Sequence, residues 1–442
     1  MIDGKSEKRT PDLVSNPPVG ASTAIAGGFA GLGADGDVLA AALRASHTLP
    51  PDRVIDLLRQ AGSAIGAIGV SMWLIDYGQS LLKPFVDRPE DIGSSDGTMA
   101  VSGTTAGRAF ARCEPIESDR PVPHRWVPIL DGTERLGVLR FEFIAPLTER
   151  QRRSSDALTS LAGELLVSKR EHTDQYDAQR REFQMSLAAE LQWRQLPPLE
   201  SSIPAAAVAG FVQPAYGLGG DGFDHSINGD TMDLTIYDAV GHGLHSALLS
   251  TLMISSLRHS RRLRLALAER LAVADEAITS IFPGDFVTAQ VAELSSASGT
   301  LTWVNAGHPL PMLIRNGVVV GELDCAPRPP VGLQHMSDSE TVVATVQLQR
   351  SDRVLFYTDG LVEGGRRGRA RFGVDRLGDL LTRAHTEGLA CAETVRQLGR
   401  RVLEHADYEL NDDATMLLVE WLGEPAAPPA GEDLQSMSSG LD

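Results

Sequence analysis

The chain alternates between stretches with a clear hydrophobic period and stretches with none. Residues 1–37 are rich in Pro, Gly, Ala and Ser and show no sustained period, which predicts a disordered tail. From Val38 the apolar positions recur at helical spacing, at Leu39 and Leu43 and then at Val54, Leu57 and Leu58. The run Ile68 to Ile75 reads as a buried strand. The runs Trp126–Leu130 and Leu136–Phe143 flank Asp131-Gly132, a strong hairpin-turn signal. These features predict a mixed α/β domain over residues 38–167.

A helical pattern covers residues 148–196 and overlaps the last helix of that domain. Leu158, Leu161 and Leu165 make one apolar seam, and Phe183, Leu187 and Leu191 make a second. The charged run Lys169 to Arg181 separates them, with Tyr176 as its main apolar residue, and Pro197-Pro198 ends the stretch. Two ordinary amphipathic helices would give this pattern. A coiled-coil linker joining two protomers would give it as well.

Residues 197–422 are dominated by short strands. The segments 232–237, 286–292, 301–304, 342–348, 354–357 and 415–421 carry strand patterns, and Asn316-Gly317 reads as another hairpin turn. Helical patterns lie at 243–258, 263–280, 374–386 and 391–405. Hairpin-linked strands with helices grouped between them predict antiparallel sheets covered by helices, and hence an α+β class. Residues 423–442 predict a second disordered tail.

Length and charge narrow the function. A chain of 442 residues suggests two or three domains. Its formal net charge of -18 argues against nucleic acid as a partner, because backbone binding needs clustered Lys and Arg. Cys113, Cys325 and Cys391 are far apart and form no disulfide or zinc pattern, which points to a reducing cytoplasm. No apolar run approaches the roughly 20 residues of a membrane span, and Met1 to Asp12 lacks a signal-peptide core, so no membrane association is expected.

The candidate chemistry lies in aspartates at strand ends or in Gly-containing turns. Asp221 follows Gly219-Gly220, and Asp238 ends an alternating strand. Asp359 follows the strand at 354–357 and precedes Gly360. Asp412 and Asp413 precede the last strand. Any one of these alone is an ordinary turn residue. Brought together at the rim of a sheet, such carboxylates repel one another unless cations lie between them. Hard oxygen donors favour Mg2+ or Mn2+, and two such ions about 4 Å apart can activate a water and stabilise a phosphoryl group.

The ordered segments Gly219–Asp224, Asp238–Gly243, Asn305–Pro309, Tyr357–Gly360 and Asn411–Thr415 resemble the motifs of bacterial PPM-type phosphatases of the SpoIIE/RsbU-like branch. The resemblance implies an α-β-β-α sandwich, two Mn2+ or Mg2+ ions and hydrolysis of phosphoserine or phosphothreonine without a phosphoenzyme. It implies that Asp221 and Asp238 lie nearest both ions, with the Ala239 carbonyl assisting. It assigns Asp359 and Asp412 to one ion, and prefers Asp412 to Asp413 because the first residue of that motif is the family's ligand. His242 is a candidate proton donor to the leaving oxygen or, equally, a structural hydrogen-bonding group. His308 is expected to fix a loop, and Asp224 to support the site or the fold. Gly222 replaces the family's usual aromatic, which predicts a looser loop and lower basal activity.

Gly107–Phe110, Trp126–Leu130 and Leu136–Leu139 resemble the later elements of a GAF domain. The resemblances together imply a sensor-regulated, homodimeric protein phosphatase. Its expected partner is a phosphorylated anti-anti-sigma factor of the STAS type. The competing reading is a catalytically inactive phosphatase-like scaffold, which a missing carboxylate would favour. A thiol-dependent phosphatase needs Arg six positions after its Cys, and Asp119, Val331 and Gln397 stand there instead. No Gly-x-x-x-x-Gly-Lys-Ser/Thr loop is present for a nucleotide.

Overall fold

The computed structural model describes residues 35–86, 97–217, 219–337, 340–363, 371–408, 410 and 412–423. The expected tails therefore lie outside the described residues except at their inner ends, as does Asn411.

The N-terminal part begins with helices α1 (Asp35–Ser46) and α2 (Val54–Ala64). A six-stranded antiparallel sheet follows, in the order β3-β2-β1-β6-β5-β4. Its strands are β1 (Gly69–Ile75), β2 (Leu81–Pro84), β3 (Met99–Ala100), β4 (Ile116–Ser118), β5 (His124–Asp131) and β6 (Glu134–Glu142), with helix α3 (Thr105–Arg112) between β3 and β4. Strand alternation gives the sheet two apolar faces. Val70, Met72 and Leu74 pack with Ile55, Leu58 and Phe141 under α1, α2 and the long helix α4 (Glu149–Arg170). Ile75, Trp126 and Val138 pack with Phe110 of α3 on the other side. The Asp131-Gly132 signal is realised as a tight β5–β6 turn, with Gly132 at φ 56°.

The helical stretch expected over 148–196 is three helices in the structure. After α4 come α5 (Gln175–Arg180) and α6 (Leu187–Gln195). The charged run doubles back because its few anchors bind the N-terminal domain. The Tyr176 hydroxyl donates to the Pro51 carbonyl at 2.6 Å, and Gln179 exchanges two hydrogen bonds with the Val86 backbone. The first seam, at Leu158, Leu161 and Leu165, is core of the N-terminal domain. The second seam is not a buried stripe: Phe183 and Leu187 are 67% and 64% exposed, and α6 buries Ala188, Ala189 and Gln192 instead.

The C-terminal part contains two antiparallel sheets. One runs β15-β12-β11-β10-β9 and the other β14-β13-β16-β17-β8-β7. The first is built from β9 (Asp221–Asn228), β10 (Thr231–Ala239), β11 (Val287–Ser295), β12 (Thr300–Ala306) and β15 (Ala344–Gln347). The second is built from β7 (Glu200–Ile203), β8 (Ala206–Gln213), β13 (Met312–Arg315), β14 (Val318–Glu322), β16 (Asp352–Tyr357) and β17 (Ala414–Trp421). Phe223, Leu234, Trp303, Phe356 and Leu417 fill the space between the sheets. Helices α7 (Leu244–Arg262) and α8 (Leu267–Ile281) cover the outer face of the first sheet. Past the short helix α9 (Asp359–Glu363), helices α10 (Val374–Thr386) and α11 (Cys391–His405) cover the second. The Asn316-Gly317 hairpin has both residues at positive φ, 51° and 74°, as its two-residue turn requires.

The two parts share buried contacts. Arg135, whose side chain is 1% exposed, donates to Glu200 of β7 and to Glu393 of α11, and Arg396 also pairs with Glu393. Tyr77 stacks edge-on against Trp193, with ring centres 4.8 Å apart. Replacing Arg135 by Ala leaves Glu200 buried without its cation. Removal of one partner of such a pair costs about 3–5 kcal/mol, so Arg135→Ala is expected to lower stability by that order in urea unfolding. A loss under 1 kcal/mol would show that the junction does not hold the fold together.

Candidate metal and active site

The proposed aspartates meet where the two sheets end. Asp221 opens β9 directly opposite Asp238 near the end of β10, because the β9–β10 hairpin places them in register. Strands β16 and β17 pair from Tyr357–Met416 outward, so Asp359 and Asp412 emerge from the same edge of the second sheet. Asp221 is buried, Asp238 half-buried, and Asp359 and Asp412 exposed.

Glycines let the segments approach. A Cβ on Gly220 would lie 2.6 Å from the Ala239 carbonyl oxygen, and one on Gly219 would lie 2.5 Å from the Gly243 nitrogen. A Cβ on Gly360 would collide with the Asp413 carbonyl oxygen. The Gly219-Gly220 segment is clamped from both sides. Its two N–H groups donate to Asp413 Oδ2 at 3.0 and 2.9 Å. Its two carbonyls accept from Ser246 Oγ at 2.7 Å and Ser250 Oγ at 2.6 Å on α7. Asp413 is thus occupied by backbone donors, while Asp412 caps only the Asp413 N–H at 2.9 Å.

Thr358 links both sheets. Its hydroxyl donates to Asp221 Oδ2 at 2.6 Å and accepts from the Thr415 N–H at 2.9 Å. The sequence reading missed Thr358, Ser246, Ser250 and the role of Asp413. The signal available for Thr358 was its place between a strand end and Asp359.

The electrostatics mark an uncompensated cluster. Burial, with the Asp238 and Asp413 carboxylates adding to it, pushes Asp221 well above the usual carboxylate range. Burial and the charges of Asp359 and Asp412 push Asp238 up to about 7. Burial and the Asp359 and Asp413 charges raise Asp412 as well. Like charges held this close call for divalent cations, and an all-oxygen donor set suits hard ions. The residues therefore fit a Mg2+ or Mn2+ centre in chemistry. Among the described residues, no three such groups already stand at coordination distances.

Residues 228–422 match the family described as stage II sporulation protein E, SpoIIE. The matched span holds Asp238, Asp359 and Asp412 and starts just after Asp221. Over this span the chain is similar to the SpoIIE family. The phosphoserine phosphatase RsbP of Bacillus subtilis (strain 168) is 28% identical over 135 residues, which are 29% of this chain and 33% of that protein. The chain thus matches about a third of that relative's length. Among solved structures, the RsbU and RsbW domains of Rv1364c from Mycobacterium tuberculosis overlap 52% of this chain and 63% of their own, at 26% identity and a TM-score of 0.42. The SiaA-PP2C domain of Pseudomonas aeruginosa overlaps 53% of this chain and 94% of its own, at 20% identity and a TM-score of 0.44.

The other residues of the SpoIIE-type motifs have distinct surroundings. His242 lies exposed in the loop before α7 and makes no hydrogen bond to a described residue. His308 is buried beside Thr288, with Nδ1 2.8 Å from the hydroxyl, and its N–H donates to Asn305 Oδ1 at 2.8 Å. Burial pushes its imidazole down to about 3, so it stays neutral and holds its loop. Asp224 pairs with Arg258 at 2.6 Å and Arg261 at 2.9 Å, tying β9 to α7. Gly222 does not loosen a loop. It lies within β9, and the Tyr237 ring of β10 fills the space a side chain would need.

Thr358→Val removes the donor to a buried carboxylate and the acceptor for a buried N–H. Each unsatisfied group costs about 1–3 kcal/mol. The expected result is a loss of about that size in chemical unfolding, recovered in Thr358→Ser. Equal stability of the Val and Ser variants would rule out the hydroxyl bridge.

Proposed function

We propose that the chain is a metal-dependent protein serine/threonine phosphatase, with residues 197–422 as its catalytic domain. The observation that carries the reading is the meeting of Asp221, Asp238, Asp359 and Asp412 at the ends of two sheets, within a SpoIIE-type domain. Asp221 and Asp238, with the Ala239 carbonyl, would hold two Mn2+ or Mg2+ ions, and Asp359 and Asp412 would each contribute to one. Bound there, divalent ions lower the pKa of water and neutralise phosphoryl charge. Thr358 orients the Asp221 carboxylate, and Asp413 fixes the Gly219-Gly220 backbone beside it. In this reading His242, exposed in the loop before α7, protonates the departing seryl oxygen.

The N-terminal domain, over 38–167, serves in this reading as a GAF-like sensor, and the 148–196 segment as the linker that carries its state. The exposed Phe183 and Leu187 support pairing of two protomers through that segment. The substrate we infer is a phosphorylated STAS-type anti-anti-sigma factor, by likeness to the RsbU/RsbP group. Three free cysteines, and the absence among the described residues of a helix able to cross a membrane, support a cytoplasmic setting.

The test is phosphate release from a phosphoserine STAS-domain protein, with and without Mn2+. Asp238→Ala and Asp359→Ala are expected to fall to background while remaining folded, and chelation of the metal is expected to do the same to the wild type. His242→Ala should lose about 10²-fold or more in kcat. Turnover that survives in either aspartate variant would overturn the assignment. Binding of the phosphoprotein without turnover would support the scaffold reading.

A further inference from the structure

A cavity of about 220 Å³ lies where the N-terminal domain, the linker helices and the start of β7 meet. Its apolar wall is made by Leu74 and Leu136 of the N-terminal sheet, by Leu166 of α4 and by Trp193 of α6. That volume suits a compact metabolite rather than a nucleotide.

The charged groups on the wall are unevenly paired. Arg170 and Asp177 neutralise each other at 3.1 Å. Arg180 spends Nε on the Ile75 carbonyl at 2.9 Å and lays its guanidinium 4.5 Å from the Tyr77 ring centre. Its terminal nitrogens have no hydrogen-bond partner among the described residues. Glu134, in the β5–β6 hairpin, accepts the Leu199 N–H on Oε1 at 3.2 Å, and its Oε2 has no hydrogen-bond partner among the described residues. Arg180 and Glu134 form no ion pair, yet the Arg180 charge reaches Glu134 and counters the burial that raises its pKa. Asp131 adds a second, half-buried carboxylate on the hairpin side. Cation and carboxylate thus stand on different elements, with an apolar surface between them.

We propose that this cavity binds a small zwitterion, an α-amino acid with an apolar side chain. Its carboxylate pairs with the free nitrogens of Arg180 and its ammonium with Glu134, while its side chain lies against Leu136, Leu166 and Trp193. An arginine matches a carboxylate with two parallel donors, and a ligand bearing both charges satisfies both walls at once. The site does not depend on the phosphatase reading, since it involves none of the aspartates at the sheet ends.

The experiment is calorimetric titration of the full chain with L-leucine and L-phenylalanine, alongside 3-phenylpropionate, which lacks the ammonium, and phenethylamine, which lacks the carboxylate. Saturable binding of at least one amino acid is expected, with both analogues at least tenfold weaker. Leu136→Trp, which fills the cavity, should abolish binding, and Arg180→Gln should weaken it at least tenfold. Glu134→Gln keeps the acceptor for Leu199 and should weaken the amino acid selectively, leaving 3-phenylpropionate unchanged. Absence of saturable binding by either amino acid overturns the proposal. So does equal binding of the analogues, or binding that persists in Leu136→Trp. No readout uses turnover, so the outcome stands whatever the catalytic tests give.

Discussion

Mutual repulsion among carboxylates is the constraint on which the C-terminal half is built. Asp221 and Asp238 are forced side by side by the register of one hairpin, and Asp359 and Asp412 are brought to the same place by the pairing of β16 with β17. Each of these placements is a backbone consequence and leaves the side chains no easy retreat. The fold compensates with directed donors. Asp413 takes two N–H groups of the Gly219-Gly220 turn, and Thr358 gives its hydroxyl to Asp221. What remains uncompensated is centred on Asp238, with Asp359 and Asp412 exposed beside it, which is where cations would reduce the energy most.

This division of labour explains what the sequence made legible and what it did not. Strand ends followed by Asp and Gly could be read directly, since alternation gives the strand and the glycine marks close approach. The preference for Asp412 over Asp413 came from family likeness; in the structure Asp413 Oδ2 accepts from the Gly219 and Gly220 N–H groups. Nothing local in the sequence distinguishes the two. Strand β9 was hard to recognise because Asp221, Asp224 and His225 interrupt its apolar pattern. All three are buried, satisfied by Thr358, by two arginines and by the Pro198 carbonyl in turn. Tertiary partners that make a polar strand stable are invisible in a one-dimensional pattern. Gly222 was misread for the same reason, because its meaning lies in Tyr237 across the ladder.

The helical segment 148–196 shows the opposite failure. Its period was real, but period alone does not say what a seam packs against. Leu158, Leu161 and Leu165 are core of their own domain, so they are not free to pair protomers. Tyr176 and Gln179, isolated in a charged run, decide the geometry by tying the chain back to Pro51 and Val86. The most exposed large apolar residues of the segment are Phe183 and Leu187, beyond that fold-back, with Val167 exposed before it. The first seam is therefore not available for a long supercoil through the linker.

The junction between the halves is stiff on one side and loose on the other, and both sides are reached by the same β5–β6 hairpin. Arg135 is locked between Glu200 and Glu393, and breaking such a buried cluster costs several kcal/mol, more than a small ligand's differential binding commonly supplies. Motion across that contact is correspondingly disfavoured. One residue earlier, Glu134 faces a cavity bounded by α4, α5, α6 and the segment that enters β7. Rearranging its walls breaks no buried ion cluster. Relative movement of the two parts is thus most costly at Arg135 and least costly around the cavity beside Trp193.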